Sequence, residues 1–224
     1  MLVFWEARLV LLSQQKTGTT ALIHALASQA DMHIRQPTEL RHMNHTEFCT
    51  FICPMFMKKT GVGRTGFNVI SVMRDPLDWV GSWFRFRARP QLADPNHPRH
   101  AEYTGAMTFD EFVWDVCASR TGHTPAHAAI GTPCRVALSR EGLLEVDQLF
   151  PYEDMSGLRS LIEEKTGKPL KTIPVNVSPT MELNLSDEPR LALQQLYKNE
   201  IELYASLSAG GQIDPYFRAM KFLV

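Results

Sequence analysis

Long apolar runs, an excess of charge of either sign and a cysteine-rich pattern are all missing from this chain of 224 residues. No apolar run reaches the ~18 to 20 residues that a membrane span requires, so we expect none. The formal net charge of -1 argues against a broad nucleic-acid surface. The start of the sequence also lacks a basic n-region and a small-residue cleavage site. These absences favour a cytoplasmic protein that does not bind nucleic acid.

Four cysteines are too few for a disulfide framework in a domain of this size. Cys49 and Cys53 have the spacing of one helical face, but no second pair completes a zinc site. We therefore expect two buried or half-buried thiols and no metal.

Strand-like and helix-like segments alternate along the chain, which predicts an α/β fold in one domain, 1–224. Apolar residues occupy both faces of the first predicted strand, as in a parallel sheet covered on each side by helices. The predicted strands are Leu9–Ser13, Met32–Arg35, Phe67–Met73 and Val146–Phe150.

Helix signals lie between and after these strands. A capping box of Thr108 and Glu111 opens one helix, and Pro54 is expected to interrupt another. The predicted ranges are Thr19–Ala30, Thr46–Lys59, Leu77–Arg87, a helix from Phe109, one capped by Ser156 to about Thr166, and one capped by Ser186 to about Leu207.

The stretch "LVLLSQQKTGTTALIHAL" predicts a buried strand, a tight turn and a helix. It departs from the triphosphate loop G-x-x-x-x-G-K-[ST], because Lys16 precedes Gly18 and Ser13 stands where the first glycine belongs. Free N–H groups at the helix start, together with the Lys16 charge, favour a bound anion. A plain turn capped by threonine is the alternative.

A second segment, "NVISVMRDPLDWVGSWFRF", places Arg74 at the end of a buried strand, where open α/β sheets bind ligands. Ser82 follows eight residues later on the next predicted helix, so the arginine fork and the hydroxyl can meet on one anion. For the arginines that come after it, we expect a solvated helix end rather than recognition of an acidic acceptor. These are Arg85, Arg87 and Arg89.

In content, spacing and order, "QKTGTTAL" and "RDPLDWVGS" resemble the two motifs of the PAPS-dependent sulfotransferases, whose sulfuryl donor is 3'-phosphoadenosine 5'-phosphosulfate. The later "LFPYEDMSGLRSLIEEKTGKPL" is similar to a third element of that family. The resemblance implies a P-loop-like three-layer α/β/α fold with a parallel sheet of about five strands. It also implies that the 5'-phosphosulfate is held by Lys16, Thr17, Gly18, Thr19 and Thr20, and the 3'-phosphate by Arg74 and Ser82.

Departures from the motifs indicate which branch of the sulfotransferase family the chain resembles. Gln15 replaces the usual proline, and Ala21 stands where cytosolic members carry a tryptophan that frames the adenine. The Arg-Lys-Gly element of those members also has no counterpart. The resemblance is therefore to carbohydrate-type or bacterial members, with a small-molecule, glycan or lipid acceptor.

The resemblance leaves two residues as catalytic base. Glu39 lies 23 residues after Lys16, as does a glutamate in carbohydrate-type members, and His42 is the local histidine. Lys16 would stabilise the leaving phosphate in a metal-independent, in-line transfer. The rival functions are a non-catalytic nucleotide-binding protein on the same fold and an ATP-dependent small-molecule kinase.

Overall fold

The computed structural model describes residues 1–119, 122, 124–171 and 181–223. These residues form an α/β structure around one five-stranded sheet, whose strands are ordered β3-β1-β2-β4-β5. The strands are β1 Leu2–Phe4, β2 Leu9–Leu11, β3 Met32–His33, β4 Asn68–Met73 and β5 Gln148–Pro151.

The sheet is mixed, so the prediction of an entirely parallel sheet is wrong. The unpredicted strand β1 runs antiparallel to both β2 and β3, while β2, β4 and β5 pair in parallel. The reason is the short connection from β1 to β2, since a tight turn can only join antiparallel neighbours. Arg8 closes this turn with φ 52° and donates its N–H to the Trp5 carbonyl at 3.1 Å.

Ten α-helical segments are present in the described ranges, and each is too short or too polar to cross a bilayer. They are α1 Thr19–Leu26, α2 Thr38–Arg41, α3 His45–Glu47, α4 Cys53–Thr60, α5 Pro76–Arg87, α6 Phe109–Ala118, α7 Ser156–Thr166, α8 Asp187–Leu196, α9 Lys198–Ser206 and α10 Pro215–Arg218.

Three predicted helix features differ in the structure. Pro54 does not interrupt its helix: a π-helical turn, Phe48–Ile52, leads directly into α4, and Pro54 lies in the first turn of α4, where its missing N–H costs little. Ser156 is the first residue of α7 rather than its cap. The predicted final helix breaks at Tyr197. Ser186 is the N-cap residue as predicted, but its hydroxyl donates to Asp110 and forms no capping bond with the helix. The Thr108–Glu111 capping box is confirmed.

Two apolar clusters cover the two faces of the sheet. Because strand side chains alternate, Val10 and Val69 face one cluster, whereas Leu11 and Ile70 face the other. The first cluster contains residues of the π-helical turn, α4 and α9, and the second contains residues of α1 and α7; examples are Phe48, Phe56 and Leu203 in the first, and Leu22, Leu26 and Ile162 in the second. Helices therefore lie on both faces.

Parallel pairing fixes where the candidate site forms. Leu9 and Leu11 of β2 pair with Asn68 and Ile70 of β4, so both strands end at the same edge of the sheet. The loop after β2 and Arg74 after β4 consequently lie side by side, as the topology of parallel sheets requires.

Candidate functional site

The loop between β2 and α1 is held by its carbonyl groups. Four consecutive carbonyls, from residue 13 to residue 16, each accept a side-chain hydrogen bond. In chain order the donors are His42 Nδ1 (2.6 Å), Thr17 Oγ1 (2.9 Å), Trp79 Nε1 (3.0 Å) and Arg74 Nη1 (3.1 Å). The four carbonyl groups are thereby oriented toward the side chains that bind them.

The N–H groups of the same loop have no such partners. Within the described part of the chain, no acceptor binds a backbone N–H of residues 16–20. Lys16 and Gly18 both have φ 66°, and such left-handed residues at alternate positions build a concave N–H nest for anions. A Cβ at Gly18 would also lie 3.1 Å from the Tyr152 ring, so a larger residue would require that ring to shift. The loop is shaped to receive negative charge.

The Lys16 ammonium lies against aromatic rings in a crowded basic region. Its Nζ is 4.2 Å from the Phe86 ring centroid and 5.6 Å from that of Trp83. Burial, reinforced by repulsion from Arg89 and Arg74, lowers the pKa of Lys16 from 10.5 to about 7. An anion placed here would relieve the repulsion and restore the charged form.

Arg74 occupies the predicted position beside the loop, with its guanidinium engaged by protein partners. Its Nε donates to Asp78 Oδ2 at 2.7 Å, and its Nη1 donates to the Lys16 carbonyl. The Tyr152 ring lies 4.8 Å from its Cζ. Arg85 shares the Asp78 carboxylate at 3.1 Å. Binding a 3'-phosphate would therefore require Arg74 to exchange part of its contact with Asp78.

Ser82 is buried on α5. No hydrogen bond joins it to Arg74 among the described residues. Arg87 corrects the expectation of a solvated helix end, because it is 3% exposed. It pairs with Glu102 at 3.2 Å and donates to the carbonyls of His127 and Ala129, so it anchors neighbouring loops.

The three threonines of the motif have different surroundings. Thr17 is fully buried and its hydroxyl donates to the Gln14 carbonyl, so this residue supports the loop from within. Arg41 Nη2 donates to the hydroxyls of Thr19 at 3.3 Å and Thr20 at 2.6 Å. Each of these two hydroxyls still has its own hydrogen to donate.

The two candidate bases lie at opposite depths. Glu39 is exposed in the first turn of α2. His42 is buried, its Nδ1 is bonded to the Ser13 carbonyl, and burial lowers its pKa to about 4. A neutral imidazole anchored at the Ser13 carbonyl helps to position the loop, whereas no hydrogen bond or ion pair holds the Glu39 carboxylate among the described residues.

The pattern of the sequence did not single out Gln14, Arg41 or Trp79. Gln14 accepts from the Val136 N–H at 3.1 Å and donates to the Thr132 carbonyl at 3.3 Å, which ties the loop to a distant segment. The "LRH" position of Arg41 and the apolar setting of Trp79 give no local signal of these bonds.

A cleft of about 460 Å³ opens on the α2 side of this loop. Thr20 and Arg41 line it, together with Ile23, His24, Arg35 and Gln36.

Comparison of the chain with protein-family models, with curated proteins and with solved structures found no match.

Replacing Lys16 with Met should stabilise the protein. Burial and neighbouring arginines disfavour the charged lysine in the folded protein, which lowers the free energy of unfolding. This loss of stability is complete below the folded pKa of about 7 and disappears as the pH rises toward 10.5, the pKa of an unburied lysine. We expect Lys16→Met to raise the Tm near pH 6.5 by about 2–8 °C, equivalent to about 1–2 kcal/mol, and less at pH 9. Scanning calorimetry at both pH values would measure this.

The exposed Lys59 offers a matched control, since Lys59→Met removes a lysine outside the basic region. An equal gain from both variants, or a gain for Lys16→Met that does not change with pH, would contradict the electrostatic origin.

Proposed function

We propose that this protein is a PAPS-dependent sulfotransferase on a P-loop-like three-layer α/β/α fold. The observation that carries the proposal is the loop in which four carbonyls are bound and the N–H groups of residues 16–20 are left without protein acceptors. Helices on both sheet faces and the parallel pairing of β2 with β4 are compatible with that fold. We also propose that the protein is cytoplasmic.

The residues around the loop suit a doubly phosphorylated donor. Lys16 and the N–H groups leading into α1 would hold the 5'-phosphosulfate, with the hydroxyls of Thr19 and Thr20 as further donors. Arg74 and Ser82 would hold the 3'-phosphate. When bound, PAPS supplies the sulfuryl group that is transferred.

Lys16 has two tasks in this scheme. It neutralises negative charge at the leaving phosphate, and its fixed loop aligns the donor with the acceptor. Glu39 would accept the proton from an acceptor hydroxyl or amine. Glu39 is exposed in the first turn of α2, so an acceptor can reach its carboxylate. The acceptor is a small molecule, a glycan or a lipid.

A non-catalytic nucleotide-binding protein is the second candidate. The observations that favour it are the anchored His42 and the exposure of Glu39, which leave no base held by fixed contacts. An ATP-dependent kinase is less well supported, because Lys16 lies before the left-handed Gly18 instead of following it into the helix.

The nucleotide assignment predicts a specific stabilisation. Adenosine 3',5'-bisphosphate at about 100 times its Kd should stabilise the fold by about 2.7 kcal/mol, a Tm rise of about 5–10 °C. Adenosine 5'-phosphate should have little effect because it lacks the 3'-phosphate. Thermal melts with both nucleotides, and with ATP for the kinase alternative, make the comparison. Equal shifts from the two adenosine phosphates would undo the 3'-phosphate assignment.

Two variants separate a ligand role of Arg74 from its loop contact. Arg74→Ala should weaken adenosine 3',5'-bisphosphate binding on the order of 10- to 100-fold, as loss of a charge-assisted hydrogen bond does. Asp78→Asn removes the competing carboxylate and should leave binding as tight or tighter. Isothermal titration would measure both. If both substitutions weakened binding equally, the Arg74–Asp78 pair would only support the loop.

Glu39→Gln should leave nucleotide binding within about twofold while reducing sulfuryl transfer by about 100-fold or more, the usual contribution of a general base. Transfer would be followed with labelled PAPS and a library of sugar, lipid and small-molecule alcohols and amines. Glu164→Gln, an exposed change on α7, is the control. Undiminished transfer by Glu39→Gln would place the base elsewhere, with His42 next to be tested.

A further inference from the structure

The cleft between α1 and the segment that contains α2 concentrates positive charge without a matching carboxylate. Arg35 and Arg41 both line it, and neither forms an ion pair with an acidic residue in the described ranges. They are close enough for the Arg35 charge to lower the pKa of Arg41, after the larger effect of burial. Two like charges at one cleft are costly unless an anion joins them.

Arg41 also has a buried donor that the protein does not use. Its Nε has no hydrogen-bond partner, although its Nη2 is bonded to Thr19 and Thr20. Leaving a buried donor without an acceptor is costly, so most such groups in native proteins are paired with protein, water or a ligand. Arg41 is a lining residue of the cleft, so an anion bound there would lie beside its guanidinium group, and Nε would reach that anion after a shift of the side chain.

The donors around the cleft match a tetrahedral oxyanion. Arg35 and Arg41 provide guanidinium N–H groups. His24 and Gln36 add polar groups at the rim. Several oxygens of a sulfate or phosphate group can be bound at once by such a set, since arginine forks bind these groups through two parallel bonds.

We infer that this cleft binds a sulfate or phosphate monoester group carried by the acceptor. This inference rests on the proposed function and narrows its substrate class to acceptors that already bear such an ester. The cleft shares Thr20 with the proposed nucleotide residues but extends away from the others: Lys16 lies against Phe86 and Trp83 of α5, whereas Arg35 and Arg41 line the cleft on the α2 side. Glu39 belongs to the same short segment as Arg35 and Arg41.

The test uses the full chain saturated with adenosine 3',5'-bisphosphate and the probes glucose 6-sulfate and glucose 6-phosphate, with glucose as the uncharged match. We expect both esters, and not glucose, to shift the Arg41 Nε–H resonance in nitrogen–proton NMR spectra. Arg41→Lys assigns that resonance. Arg35→Ala, at an exposed position that the fold tolerates, should weaken ester binding by about tenfold or more and leave nucleotide binding within about twofold.

Arg140→Ala, which removes an exposed arginine outside the cleft, is the matched control and should change neither affinity. Inorganic sulfate is titrated in parallel to separate a free anion from an esterified one. Binding of inorganic sulfate at least tenfold more tightly than either ester would overturn the acceptor assignment.

Three other results would also overturn the inference. If the Arg41 resonance does not shift while the nucleotide still binds, the cleft does not bind the ester, and the proposed function is unaffected. Loss of ester binding on saturation with nucleotide would assign the cleft to the nucleotide itself. Ester binding by a protein that does not bind the nucleotide at all would refute the proposed function and the acceptor role with it.

Discussion

The bonds that hold the carbonyl groups of residues 13–16 are the constraint on which the candidate site depends. Three of the four donors come from outside the loop: from the residue after α2, from the residue after β4 and from the first turn of α5. In a trans peptide the carbonyl and the N–H point in opposite directions, so a bound carbonyl orients the neighbouring N–H as well. The nest therefore exists before any ligand arrives, which reduces the entropy lost on binding.

Charge is distributed unevenly in a chain that is nearly neutral overall. Lys16 shares its surroundings with Arg74, Arg85 and Arg89, while Arg35 and Arg41 lie on the other flank of the same loop. Burial of Lys16, and after it repulsion from these arginines, disfavours the charged ammonium and lowers the pKa of Lys16, so holding this charge costs folding free energy. Such local conflicts between stability and charge are typical of ligand sites. The loop lies between two basic regions, and this suits one anionic ligand on each side.

Local patterns predicted most of the elements, and the errors have physical causes. The strand β1 was missed because it has three residues and its pairing depends on a hairpin rather than on a periodic pattern. The prediction of a break at Pro54 is wrong because a π-helical turn leads into α4 and leaves Pro54 in the first turn of that helix, where its missing N–H costs little. The long C-terminal helix was predicted as one, yet it breaks at Tyr197, whose ring packs on Trp79 at 6.3 Å. Tertiary contacts override helical propensity there.

The sequence by itself determined the strand–loop–helix around Gly18, the left-handed turn that glycine permits, and the position of Arg74 at the end of a strand. These features depend on neighbours within a few residues. Only the tertiary structure decided which groups hold the loop, that His42 is a buried anchor, and that Arg41 joins two threonines to a cleft. Those contacts link residues 21 to 64 positions apart. Their partners are chosen by how helices pack on the sheet, which no local pattern encodes.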